Sequence, residues 1–168
     1  MAIEKNRSTQ SALLQMYDRW IKAAVKAKVS GVVLLDLSAA FDLVESGLLL
    51  KKLKAYGLDV SICDWIGSYL EGRSQAVRID HVPSDLAPVN IGVPQGSNLG
   101  PLFFLIFYND LLTTLSCGVD VYADDSTLSE TGDNSEVIGT KLTENCRKVS
   151  TWMVSNQFKL NADKTHTS

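Results

Sequence analysis

Two apolar runs that end in carboxylate limit most sharply what this chain can fold into. Val32-Val33-Leu34-Leu35 leads into Asp36, and Gly118–Tyr122 leads through Ala123 into Asp124-Asp125. A continuous apolar run closed by acidic or turn residues reads as a buried strand. Carboxylates at the ends of separate strands are what a two-metal phosphoryl-transfer site needs. Their oxygens hold two cations about 3.5–4 Å apart, and the cations clamp the attacking and leaving oxygens. Magnesium suits such a site because it takes hard oxygen ligands in octahedral geometry. Taken singly, each signal is weak. An Asp ending a strand is commonly a turn residue, and acidic pairs are common in hairpin turns. The ordered set of Asp36, a Gln-Gly loop and Tyr122-Ala123-Asp124-Asp125 is hard to explain by turns alone.

The chain has 168 residues and is 45% hydrophobic, which suits one globular domain with a core and argues against disorder. Its net charge of −3 is a poor footprint for a nucleic-acid binder. If the chain touches nucleic acid, metal ions, local Lys and Arg, or other segments must meet the phosphates. Cys63, Cys117 and Cys146 show no zinc-like spacing and read as reduced thiols in an intracellular protein. The polar N-terminus shows no signal peptide. The most apolar run, Leu99 to Tyr108, is too short to span a bilayer and reads as a core helix. No membrane partner is expected.

Periodicity predicts helices over 8–28, 43–56, 60–70, about 101–115 and about 136–156. The first should bury Leu13, Tyr17, Trp20, Ile21 and Ala24. The third should bury Ile62, Trp65, Ile66 and Tyr69. The last should bury Ile138, Leu142, Cys146, Val149 and Met153, behind a capping box of Asp133 and Glu136. Strands are expected over 31–37, as a pair 74–79 and 86–91 joined through His81-Val82-Pro83-Ser84-Asp85, as a hairpin 118–122 and 126–128 with Asp124-Asp125 at its tip, and over 158–161. Trp20, Trp65 and Trp152 fall on core faces. Lys51, Lys52 and Lys54 read as a solvated helix face, Arg73 and Arg78 are open between solvent and template, and His81 and His166 read as surface residues. The order is that of an α+β domain, with helices packed on one face of a mostly antiparallel sheet.

Gly92-Val93-Pro94-Gln95-Gly96-Ser97-Asn98-Leu99-Gly100-Pro101 is the most specific block. Its plain reading is a loop that needs unusual backbone angles. Its functional reading adds close approach of backbone to a nucleotide, a hydrogen bond from Gln95, and a following helix whose N-terminus favours phosphate. Ser97 or Asn98 can cap that helix, with Pro101 in its first turn.

With these motifs the chain resembles the reverse transcriptase domain of non-LTR (LINE-type) retrotransposons. The resemblance rests on Arg7–Leu14, Leu35-Asp36-Leu37-Ser38-Ala39-Ala40-Phe41-Asp42, Gly92–Pro101, Tyr108-Asn109-Asp110-Leu111, Tyr122–Asp125 and Leu160-Asn161-Ala162-Asp163-Lys164-Thr165. It covers nearly all of residues 1–168 and implies a polymerase palm with incomplete fingers and no thumb. It further implies that Asp36, Asp124 and Asp125, with the backbone carbonyl of Leu37, hold two Mg2+ ions, for which Mn2+ can substitute. Phe41 would lie under the incoming sugar and exclude a 2′-hydroxyl, and Gln95 and Gly96 would contact nucleotide and template. Lys164 would approach the pyrophosphate, although by residue type alone it reads as a solvated lysine. The implied partners are an RNA template, a DNA primer and a dNTP, together with the fingers and thumb of a parent polyprotein. The implied compartment is the nucleus or cytoplasm. Two places depart from the family: Ala39 stands where it usually has Lys, and the stretch Glu45-Ser46-Gly47 lacks the His that is common near Ser46. These departures and the missing fingers and thumb motivate a rival reading, a catalytically silent palm remnant that at most binds nucleic acid or protein.

Overall fold

The computed structural model describes residues 9–122, 125–158 and 166–167. Its elements in order are α1 (Thr9–Val25), β1 (Val29–Asp36), a 3-10 turn (Ala40–Asp42), α2 (Ser46–Ala55), α3 (Val60–Leu70), β2 (Arg73–Gln75), β3 (Arg78–Ile79), β4 (Val82–Pro83), β5 (Ala87–Val89), α4 (Gly100–Thr114), β6 (Gly118–Tyr122), β7 (Asp125–Gly132), α5 (Ser135–Ser155) and β8 (His166–Thr167). They fall into two compact units. One comprises the chain up to Ser38 and again from Asn109; the other is Ala39–Tyr108.

The first unit is built on a four-stranded antiparallel sheet in the order β6-β7-β1-β8. Alternation along β1 puts Gly31, Val33 and Leu35 on one face, and α5 packs there. A methyl group on Gly31 would come within 2.7 Å of Ile138 and Leu142, so glycine lets the helix approach the strand. Leu128, opposite Val33, is fully buried on the same face. The buried side of α5 is Ile138, Leu142, Asn145, Val149, Trp152 and Met153; Cys146 is only half-buried. Asn145 is the polar exception. Its Oδ1 accepts from the Ser116 N–H at 2.9 Å and its Nδ2 donates to the Lys141 carbonyl at 2.8 Å. The helix is capped by Asn134, whose side chain accepts from Glu136 N and Val137 N, and not by Asp133.

α1 turns a different face inward from the one its apolar spacing predicts. Ala23 is buried and Met16 and Trp20 are half-buried, whereas Leu13, Tyr17 and Ile21 are exposed. The helix carries apolar residues on two sides, and periodicity does not say which side meets the sheet. It ends at Val25 without a glycine. Lys28 N bonds Ala23 O at 3.0 Å, Ala27 N bonds Ala24 O at 2.9 Å, and Ala27 takes φ 53°. This is the Schellman arrangement with alanine in the left-handed position. β1 therefore starts at Val29, two residues early.

The second unit packs α2 against α3 and builds its core from residues such as Leu49, Leu53, Cys63, Ile66, Phe103 and Phe107. The inner side of α3 is Cys63, Ile66, Gly67 and Leu70. Trp65 is 57% exposed and stacks on Tyr69, so it is not a core residue. Lys52 is not solvated either: its Nζ donates to the Phe107 carbonyl at 2.8 Å and lies over the Phe107 ring. The expected long strand pair is two short ones, β2 with β5 and β3 with β4. The reversal falls at Asp80-His81, both at positive φ (46° and 69°), which is the backbone of a tight hairpin turn; Val82–Pro83 is strand, not turn. The sequence lacks the Asn-Gly that would announce it.

Candidate active site

Asp36 and Asp125 stand directly opposite each other in the antiparallel register of β1 and β7, and Tyr122 of β6 is Asp125's partner on the other side. Asp125 is thus a strand residue and not the tip of the hairpin. Asp36 has the opposite parity from Gly31, so this row lies on the sheet face that α5 leaves uncovered. Directly opposed residues have Cβ atoms about 4.5–5.5 Å apart, and like charges so placed repel. Two hard oxygen donors held this way by two paired strands form a donor set that a divalent cation fits. Next along the same face, Asp120 of β6 is ion-paired with Arg19 of α1. Leu37 follows and is buried as a whole residue. Asp124 and Lys164 lie outside the described residues. Among the described residues no cluster of three or more His, Cys, Asp or Glu side chains is arranged to hold a metal.

The second unit holds the other predicted site residues. The 3-10 turn presents Phe41, whose ring packs against Phe104 with centroids 5.1 Å apart. The Gly92–Ser97 loop is latched onto this turn. Val93 N donates to Phe41 O and Gly92 N to Val44 O, both at 2.8 Å. Gly92 has φ 86°, and a Cβ there would lie 2.8 Å from Asp42 Cα. Only glycine permits both that angle and that approach. Gln95 Nε2 donates to Asp42 Oδ1 at 2.8 Å, while Gly96, at φ 76°, is exposed. Arg73 is committed to this loop, with Nη2 donating to Gly92 O at 2.5 Å and Nε to Leu70 O at 2.8 Å. Ser97 Oγ accepts from Gly100 N at 2.9 Å and so caps α4. Sequence reasoning missed Asp42 and Arg73 as members of this assembly, because neither bond has a spacing signal.

All three cysteines are free, and burial pushes the thiols of Cys117 and Cys146 up, away from the thiolate.

Residues 1–168 match the family model described as reverse transcriptase (RNA-dependent DNA polymerase). Among curated proteins, the chain is 31% identical over 139 residues to the RNA-directed DNA polymerase from mobile element jockey of Drosophila melanogaster, covering 77% of this chain and 15% of that protein. It is 32% identical over 158 residues to the putative 115 kDa protein in type-1 retrotransposable element R1DM of the same species, covering 88% of this chain and 15% of that one. Among solved structures it is similar to apo telomerase from Candida tropicalis, with a TM-score of 0.71 at 15% identity, covering 98% of this chain and 33% of that one. At that identity the likeness shows the fold, a polymerase palm.

Proposed function

This chain belongs to the reverse transcriptase (RNA-dependent DNA polymerase) family, and on that premise we propose that it is the palm of an RNA-directed DNA polymerase of a non-LTR retrotransposon. It spans 15% of the length of the relatives jockey and R1DM, so the reaction is that of a larger polypeptide. The observation that carries the reading is the facing pair Asp36 and Asp125 on the sheet face opposite α5.

The family works with divalent metal ions. In our reading Asp36, Asp124, Asp125 and the Leu37 carbonyl would hold two Mg2+, or Mn2+ in their place. Bound there, the ions would lower the pKa of a primer 3′-hydroxyl and neutralise the departing pyrophosphate. The chain's own contribution is position. β1 and β7 hold Asp36 and Asp125 across from each other by backbone pairing, so little reorganisation would be needed there when charge develops. Phe41, held on Phe104, would occupy the space of a 2′-hydroxyl and favour dNTP. Gln95 and Gly96 would contact nucleotide and template, and Lys164 would meet the pyrophosphate. The RNA template and DNA primer would be read by backbone shape.

Primer extension on an RNA template by the full-length polypeptide tests this. Asp36→Asn should lower the rate by about 10²–10³-fold or more. Extension by that variant at the wild-type rate with Mg2+ would remove the metal assignment.

A further inference from the structure

We infer that Asp42 is a positioning residue, whose carboxylate locks the side-chain amide of Gln95 so that the carbonyl oxygen, and not the NH2 group, is what Gln95 turns to a nucleotide. The inference deepens the proposed function and rests on Gln95 as a nucleotide contact. An ionised carboxylate can only accept hydrogen bonds. The contact between Asp42 Oδ1 and the end of Gln95 at 2.8 Å therefore fixes which end of the amide faces Asp42, whatever its free preference. The carbonyl oxygen is turned from the carboxylate because two acceptors repel. What Gln95 then presents is chiefly an acceptor, and the matching ligand group is a donor, a hydroxyl or an amine. A phosphate or carbonyl oxygen would meet repulsion there.

The surroundings make Asp42 able to do this. Its backbone N–H bonds Ala39 O at 2.9 Å, and the chain of Gly92 lies against its Cα. The paired backbones of Phe41–Val44 and Gly92–Val93 hold the two side chains in range without help from the Asp42–Gln95 bond itself. Both side chains belong to exposed residues. Losing that bond should therefore free the amide and leave the fold in place.

The test is a double-mutant cycle in the full-length polymerase, read as KM for dNTP, with a spectroscopic measurement on the chain. Gln95→Ala and Asp42→Ala should each raise KM about 10-fold with little change in kcat. The double variant should be no worse than Gln95→Ala, because Asp42 acts only through Gln95. In parallel, the Gln95 side-chain NH2 signal, assigned by its loss in Gln95→Ala, should move in Asp42→Ala, where its acceptor is gone. It should move less in Asp42→Asn, whose side-chain oxygen can still accept. Additive effects in the cycle, or an amide signal unmoved in Asp42→Ala, would overturn the positioning role while leaving Gln95 as a contact. An unchanged KM in Gln95→Ala would overturn the nucleotide role of Gln95 and this inference with it.

Discussion

At the scale of the residue, the facing of Asp36 and Asp125 has a consequence that can be measured without any substrate. Two carboxylates directly across a strand pair repel, and a cation between them removes the repulsion. Asp125→Asn deletes one charge and leaves the backbone pairing intact. Without divalent cation and at low salt, this variant should be more stable than wild type by a few tenths of a kcal/mol, a rise in melting midpoint of about 1 °C. Added Mg2+ should reverse the order, because wild type gains by preferential binding to the folded state and the variant gains less. Equal gains in both proteins, or a variant that melts lower in the absence of cation, would remove the pair as a cation site. The sequence made both carboxylates visible but not their register. It placed Asp125 at a turn, because the pairing of Asp36 with Asp125 depends on how two segments far apart in the chain align. Asp42 and Arg73 were illegible for the same reason: each acts on a loop far along the chain.

At the scale of the element, positions were legible and faces were not. Every helix expected from periodicity is present within a few residues, since apolar spacing and terminal signals are local. Which side is buried depends on what the helix meets. α5 buries Asn145 because the Ser116 backbone needs an acceptor there, and α3 exposes Trp65 because its neighbours pack on Cys63 and Ile66. Capping gives the clearest case. Asp133 and Glu136 have the spacing of a capping box, yet Asn134 accepts the N–H groups of Glu136 and Val137. Asp133 instead lies 3.7 Å from Lys28 as an exposed ion pair. Asn134→Ala should therefore cost about 1 kcal/mol, a fall in melting midpoint of about 2–4 °C. Asp133→Ala should cost under about 0.5 kcal/mol, the usual worth of an exposed pair. Thermal melts of the two variants decide it, and the reverse order would restore the capping box.

At the scale of the whole molecule, the palm fold survives at 15% identity to telomerase because few features fix it. In this chain those features are strands that pair antiparallel, a helix over one face, and glycines at Gly31 and Gly92 where a helix or another backbone comes close. Those features are compatible with a net charge of −3, and charge says nothing of fold. The surface they leave is not uniformly polar. On α1, Leu13, Leu14, Tyr17, Ile21 and Val25 are 44–81% exposed. Leu13, Tyr17, Ile21 and Val25 recur every four residues, so they form one stripe about 18 Å long at 1.5 Å per residue. An apolar stripe of this kind lowers its free energy by leaving water, and in a purified chain the nearest apolar surface is another copy. The isolated chain should self-associate as concentration rises, with its sedimentation coefficient increasing. The double variant Leu13→Glu with Ile21→Lys should stay monomeric over the same range. Its stability in dilute solution should hold within about 0.5 kcal/mol of wild type, because neither side chain is part of the core. A wild-type chain that remains monomeric at high concentration would show that the stripe is tolerated in water. Association that persists in the variant would move the sticky surface elsewhere, with the exposed Trp65 on α3 the next residue to test.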